Sequence, residues 1–182
     1  MRKQLRSRIP NEALRHIEAF QRSPGEKIGR LASTLGLKVV ERELDQGIDG
    51  YIEYCPSEGS KSGYVIVVNT FQSIERKRWT VAHEIGHFLL HSHSSEPDFA
   101  DGRRYRGDAA GAVFYAELQE LEEEREANKF AEDLLVPISA LDRAWTQGRR
   151  NFDELARLFW VSREIICIRV DSRVRYKRKV GC

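Results

Sequence analysis

Residues Trp79–His91 read WTVAHEIGHFLLH, and the expected fold is built outward from them. The spacing predicts a helix on which His83 and His87 lie one turn apart on a single face, where two imidazoles can share one metal ion. Glu84 stands next to His83 but off that pair, so it can reach a water held by such an ion and take its proton. It is placed as a base, not as a ligand. Val81, Ala82, Ile85, Phe88 and Leu89 supply apolar surface on the other sides, so the helix is expected to be largely buried. Two histidines and a carboxylate on a buried helix need partners, and a metal with its water satisfies all three. A chance match on a surface helix would leave these groups in solvent, which the apolar surround opposes. Gly86, inside the motif, costs about 1 kcal/mol of helix propensity against Ala, and close approach of another backbone explains its presence.

The chain has 182 residues, 41% hydrophobic and 32% charged, enough for one domain with a real core and short for two. No apolar run approaches the roughly 20 residues that span a bilayer. The basic start MRKQLRSRIP leads into polar NEALRHIEAFQRS and not into an apolar signal core, so a cytoplasmic location is expected. Cys55, Cys167 and Cys182 are scattered and lack CxxC spacing, which argues against a disulfide framework and a cysteine zinc site and predicts free thiols. A net charge of +2 does not by itself imply a polyanionic partner, although the two ends are the basic parts.

Asn11 to about Gln21 reads as a helix with Asn11 as cap and Ala13, Leu14, Ile17 and Phe20 as its buried stripe. Glu26 to Leu35 reads as a second, stopped by Gly36, and Leu37 to Glu41 as extended. Tyr51–Tyr54 and Tyr64–Asn69, joined by the turn-rich CPSEGSKSG, predict an antiparallel hairpin. Val65 to Val68 are apolar on both faces, so that strand belongs inside the sheet, with the HEIGH helix as cover. After His91 comes a polar, turn-rich stretch, then a helix from about Ala112 to Val136 whose first half is acidic. Helices at Phe152–Phe159 and Ser162–Val170 follow, and RVRYKRKVGC closes the chain. The fold class expected is α+β: a single zincin-like domain over residues 1–170, with a small, mainly antiparallel sheet packed on the HExxH helix and further helices at both ends. Residues 140–170 form a helix-turn-helix-like segment and 171–182 a basic tail.

A catalytic zinc site takes three protein ligands, so the motif lacks one. His93 would complete HExxHxxGxxH, but Leu90 stands where Gly must turn the chain, and Met1 is the only methionine, so no methionine turn follows. His91 continues the stripe, yet its Cα lies about 12 Å along the axis from His83. In LEEEREANKFAEDLLVP, helical phase puts Glu120, Glu123 and Glu124 within about 60° of the apolar stripe, while Glu122 and Glu126 point away. Asn128, one turn after Glu124, could support a ligand through its amide, which favours Glu124.

RKRWTVAHEIGHFLLH and EREANKFAEDLLVP together resemble the zinc peptidase family named after ImmA and IrrE, and ELARLFWVSREIICIRV is similar to that family's frequent ending. The resemblance covers most of the chain from Tyr64 to Val170. Trp79 stands where Phe is common, and the segment between Ser92 and Glu123 is of variable length in such proteins. The resemblance to this and other gluzincin families implies Zn2+ held by His83, His87 and Glu124, with Glu84 as catalytic base. It implies a cytoplasmic endopeptidase that cleaves a specific protein, often a helix-turn-helix repressor of a mobile element or stress regulon.

Two other classes compete. One is a zinc-containing regulator contacting DNA through the C-terminal helices, with Arg173, Arg175, Lys177, Arg178 and Lys179 for phosphates. Ile165, Ile166, Cys167, Ile168 and Val170 give that helix a composition that suits packing better than base reading. The other is a toxin-like or adaptor protein that binds without cleaving, against which an intact Glu84 argues.

Overall fold

The structure is a computed structural model that describes residues 3–91 and 114–180. A short turn of helix, α1 (Lys3–Arg6), leads into α2 (Asn11–Phe20) and α3 (Ile28–Thr34). Pro10, not Asn11, occupies the N-cap position of α2; its fixed φ sets the helix start, and Asn11 is the first helical residue. The α2 stripe Ala13, Leu14, Ile17 and Phe20 is buried as its spacing predicts.

Strands β1 (Lys38–Arg42), β2 (Gly50–Tyr54) and β3 (Tyr64–Asn69) form one sheet in the order β1-β3-β2. The β2–β3 pairing is the expected antiparallel hairpin, with Tyr54 opposite Tyr64. The extended segment after α3 adds β1 on the far side of β3, parallel to it, with Lys38 opposite Val65. The sheet is therefore mixed where the sequence suggested a mainly antiparallel one. The apolar run of β3 is central, as its two-faced composition requires. Ile66 and Val68 enter the main core, while Val65 and Val67 pack with Tyr51 in a smaller cluster on the other face.

The main core is closed by α4 (Ile74–His91), which follows β3 after a tight connection. Asn69 Oδ1 accepts from Phe71 N at 3.2 Å, and Ser73 Oγ accepts from Arg76 N at 3.2 Å, so the turn and the helix start are both held by side chains. The next helix, α5 (Phe114–Leu135), lies along α4. Gly86 permits this, since a Cβ there would stand 3.1 Å from Ala127 Cα.

Helices α6 (Ile138–Thr146), α7 (Phe152–Phe159) and α8 (Arg163–Val180) complete the described chain. α6 opens the 140–170 stretch expected to be helical and begins slightly before it: Pro137 ends α5 and occupies the N-cap of α6, where a missing N–H costs nothing. α8 does not stop at Val170, so the expected separate tail from residue 171 is instead a continuation of this helix through Val180. The reason lies in two arginines one turn apart. Arg169, 1% exposed, pairs with Asp133 at 2.8 Å and donates to Val136 O at 2.9 Å. Arg173, also buried, pairs with Asp142 at 2.6 Å and lies over the Trp145 ring. Ile166 is fully buried, whereas Ile168, expected to pack, is 40% exposed. Among the described residues, no helix is long and apolar enough to cross a membrane.

Candidate metal centre

The buried face of α4 carries His83, Glu84, His87 and His91, exposed by 1%, 3%, 6% and 3%. α5, held against α4 at Gly86, brings Glu124 to them. Glu124 Oε1 lies 2.9 Å from His87 Nε2 and Oε2 lies 3.3 Å from His83 Nε2, and the two Nε2 atoms are 2.9 Å apart. One ligand atom from each of the three residues thus falls within 4.8 Å of the others. Glu123 groups with His87 and His91 instead, so the two adjacent glutamates address different parts of α4. Glu122 is exposed. Glu120, the third candidate, lies outside the residues whose side chains are described, as does His93.

The outer nitrogens decide what the inner ones can do. His83 Nδ1 meets Asn128 Oδ1 at 3.1 Å, so the N–H donates there and Nε2 keeps its lone pair. His87 Nδ1 faces His91 Nδ1 at 3.1 Å, and His91 Nε2 faces Glu126 Oε2 at 3.0 Å. A carboxylate only accepts, so His91 carries its proton on Nε2 and offers the Nδ1 lone pair to the N–H of His87. His87 Nε2 is then also a lone pair. Two nitrogen lone pairs and a carboxylate converge on one point, and such a set repels itself unless a cation lies between them. The nitrogen and oxygen donors fit a divalent metal of the zinc type.

Ionisation follows the same contacts. Burial works to raise the Glu124 pKa, but hydrogen bonds and charge from His83 and His87 outweigh it and hold the carboxyl well below the ordinary range. Burial lowers the His91 pKa, with His87 adding to the effect, and this outweighs the opposing pull of Glu126 and Glu123. Burial acts to raise Glu126, yet hydrogen bonds from His91 and Arg8 bring its pKa below the usual value.

His83, His87, Glu124 and Asn128 are therefore brought together, with Glu84 buried on the same helix. The roles of His91 and Glu126 were not read from the sequence. Phase relative to the core stripe set Glu126 aside, and it does miss the three-residue centre, but it lands on His91. The signal that could have found it is His91 itself, a third histidine on the motif's face that needs a partner once buried.

Comparison with known proteins bears on family and fold. The profile of the peptidase M78 family, the IrrE N-terminal-like domain, matches residues 32–171. No curated protein is matched. A solved structure described as a Mycobacterium tuberculosis transcriptional regulator is similar in fold, with a TM-score of 0.52 at 19% identity over 87% of this chain and 46% of that one. The chain thus spans about half the length of that relative, whose likeness bears on fold alone. With the family profile covering well over half of the sequence and the HExxH helix packed against the glutamate-bearing helix, the chain belongs to the IrrE N-terminal-like peptidase M78 family.

Proposed function

We propose that this chain is a zinc-dependent endopeptidase that acts in the cytoplasm on one specific protein, a helix-turn-helix transcriptional repressor of a mobile element or stress regulon. The observation that carries the metallopeptidase reading is the convergence of His83 Nε2, His87 Nε2 and the Glu124 carboxylate, with Glu84 buried beside them. The repressor as substrate rests on the resemblance to the ImmA and IrrE proteins.

His83, His87 and Glu124 would hold the zinc, and when bound it would supply a Lewis acid for the scissile carbonyl and for a water. Glu84 accepts a proton from the attacking water as its oxygen bonds to the carbonyl carbon, and passes that proton to the leaving nitrogen as the C–N bond breaks. Asn128 holds the His83 ring through Nδ1 and His91 holds the His87 ring, so neither imidazole must be ordered during the reaction. β1 and β2 are the edges of the described sheet, and an extended substrate segment can add to such an edge through main-chain hydrogen bonds.

The alternative of DNA contact through α7 and α8 is weakened by Arg173, whose charge is committed to Asp142 inside the domain. Among the described side chains of α8, which end at Arg175, the exposed charges are Arg163, Glu164, Asp171 and Arg175, a mixed set. The test is incubation of a helix-turn-helix repressor encoded beside this protein with wild type and Glu84→Gln. Cleavage by wild type alone, stopped by a chelator, supports the proposal, and equal cleavage by both opposes it.

A further inference from the structure

We propose that Arg8, Glu126 and His91 form a buttress that fixes the proton position and orientation of His87, so that the segment preceding α2 helps set the metal affinity of the site. This rests on His83, His87 and Glu124 being the metal centre.

The chain of contacts is continuous. Arg8 Nη1 donates to both Glu126 oxygens at 2.7 Å, and Arg8 Nη2 donates to the backbone oxygen of Leu90 at 2.9 Å. One guanidinium thus ties the N-terminal segment to α5 and to the last turn of α4 together. The approach of both carboxylate oxygens to one cationic nitrogen favours the ionised carboxylate. An ionised Glu126 accepts from His91 Nε2 and cannot donate to it, so His91 must present a lone pair at Nδ1. That lone pair holds the N–H of His87 at 3.1 Å and leaves His87 Nε2 as a ligand atom facing Glu124. Each link determines the direction of the next.

His83 has a different support. Its Nδ1 is held by Asn128, from within the segment that carries Glu124. His87 is instead held through three residues from three parts of the chain, and the outermost, Arg8, lies before the residues that match the family profile. Burial sharpens the arrangement: His91 is 3% exposed, so a wrongly placed proton there has little access to water as a substitute partner. Arg8 and Glu126 are partly exposed, at 44% and 24% of the side chain, and they can be altered without opening the core.

The experiment combines two readouts on the full chain. Nitrogen NMR of the histidine rings reports the His91 tautomer, and chelator competition reports zinc affinity, for wild type, Glu126→Ala, Arg8→Ala and Arg8→Lys. We expect His91 protonated at Nε2 in wild type and a mixture of tautomers in Glu126→Ala. Zinc affinity should fall about 10- to 100-fold in Glu126→Ala, the range for loss of a ligand's supporting partner. The loss should be smaller in Arg8→Ala and largely recovered in Arg8→Lys, which restores the charge. Thermal unfolding of the metal-free variants checks that each is folded; if Glu126→Ala is not, the half-exposed Arg8 pair carries the same comparison. Wild-type His91 protonated at Nδ1, or zinc affinity unchanged in the folded variants, overturns the buttress. A wild-type protein that takes up no zinc overturns the metal centre instead, and the two failures are distinct.

Discussion

Gly86 in α4 lies directly against Ala127 in α5: a Cβ at residue 86 would stand 3.1 Å from Ala127 Cα and 3.3 Å from its carbonyl oxygen. This contact sets the distance between the histidine helix and the glutamate helix. Gly86→Ala gains about 1 kcal/mol in helix propensity but must push the helices apart by a few tenths of an ångström. Stability should change by less than about 2 kcal/mol while zinc affinity drops, because overpacking of this size costs only about 1–3 kcal/mol. Gly86→Leu should not fold. Wild-type zinc affinity and melting temperature in Gly86→Leu would show that the approach is not needed.

Glu84→Gln should keep the fold and the metal but lose hydrolysis by at least about 100-fold, since an amide cannot accept the proton of the attacking water. Zinc content and substrate cleavage, measured on the same preparation, separate the two functions. A variant that loses zinc along with activity would make Glu84 a ligand or a structural residue and not the base.

Arg169→Ala should destabilise the domain by about 3–5 kcal/mol, because it leaves Asp133 as a buried carboxylate without its main partner and Val136 O without a donor. Ile168→Asp, on the same helix but exposed, should stay within about 0.5 kcal/mol of wild type. Urea unfolding measures both. Equal destabilisation by the two would mean that α8 packs in a different rotation.

Much of this was legible in the sequence, for reasons that also explain what was not. His83 and His87 are visible because a helix has one period and the motif fills one turn of it. Glu124 emerges from phase plus Asn128 one turn on, both local properties of α5. β3 announces its central position by being apolar at successive residues, yet nothing local states that β1 joins it in parallel. The sequence understates α8, because charge reads as exposure, whereas Arg169 and Arg173 are buried by Asp133 and Asp142, partners distant in sequence. Arg8 and Glu126 are separated by more than a hundred residues, and no periodicity connects them.

The metal-free protein should lose stability on acidification in two stages. His91 has a folded pKa below its ordinary value, so the unfolded chain binds more protons and stability falls as pH drops through about 6.5 towards that lower value. Glu126 is likewise depressed, so its contribution is present above about 4.5 and is lost as pH falls further through its folded pKa. Denaturation midpoints of chelator-treated protein, followed from neutral pH to well below the ordinary carboxylate range, cover both stages. A midpoint that rises on acidification from neutral pH would contradict the signs given.

The most direct measurement is the zinc content of purified wild type, Glu124→Ala and Glu123→Ala, taken with their folded state. One zinc per chain in wild type and in Glu123→Ala, with loss in a folded Glu124→Ala, is the result predicted by Glu124 lying 2.9 Å and 3.3 Å from the two histidine nitrogens. Zinc retained at full affinity by Glu124→Ala and lost by Glu123→Ala would contradict it.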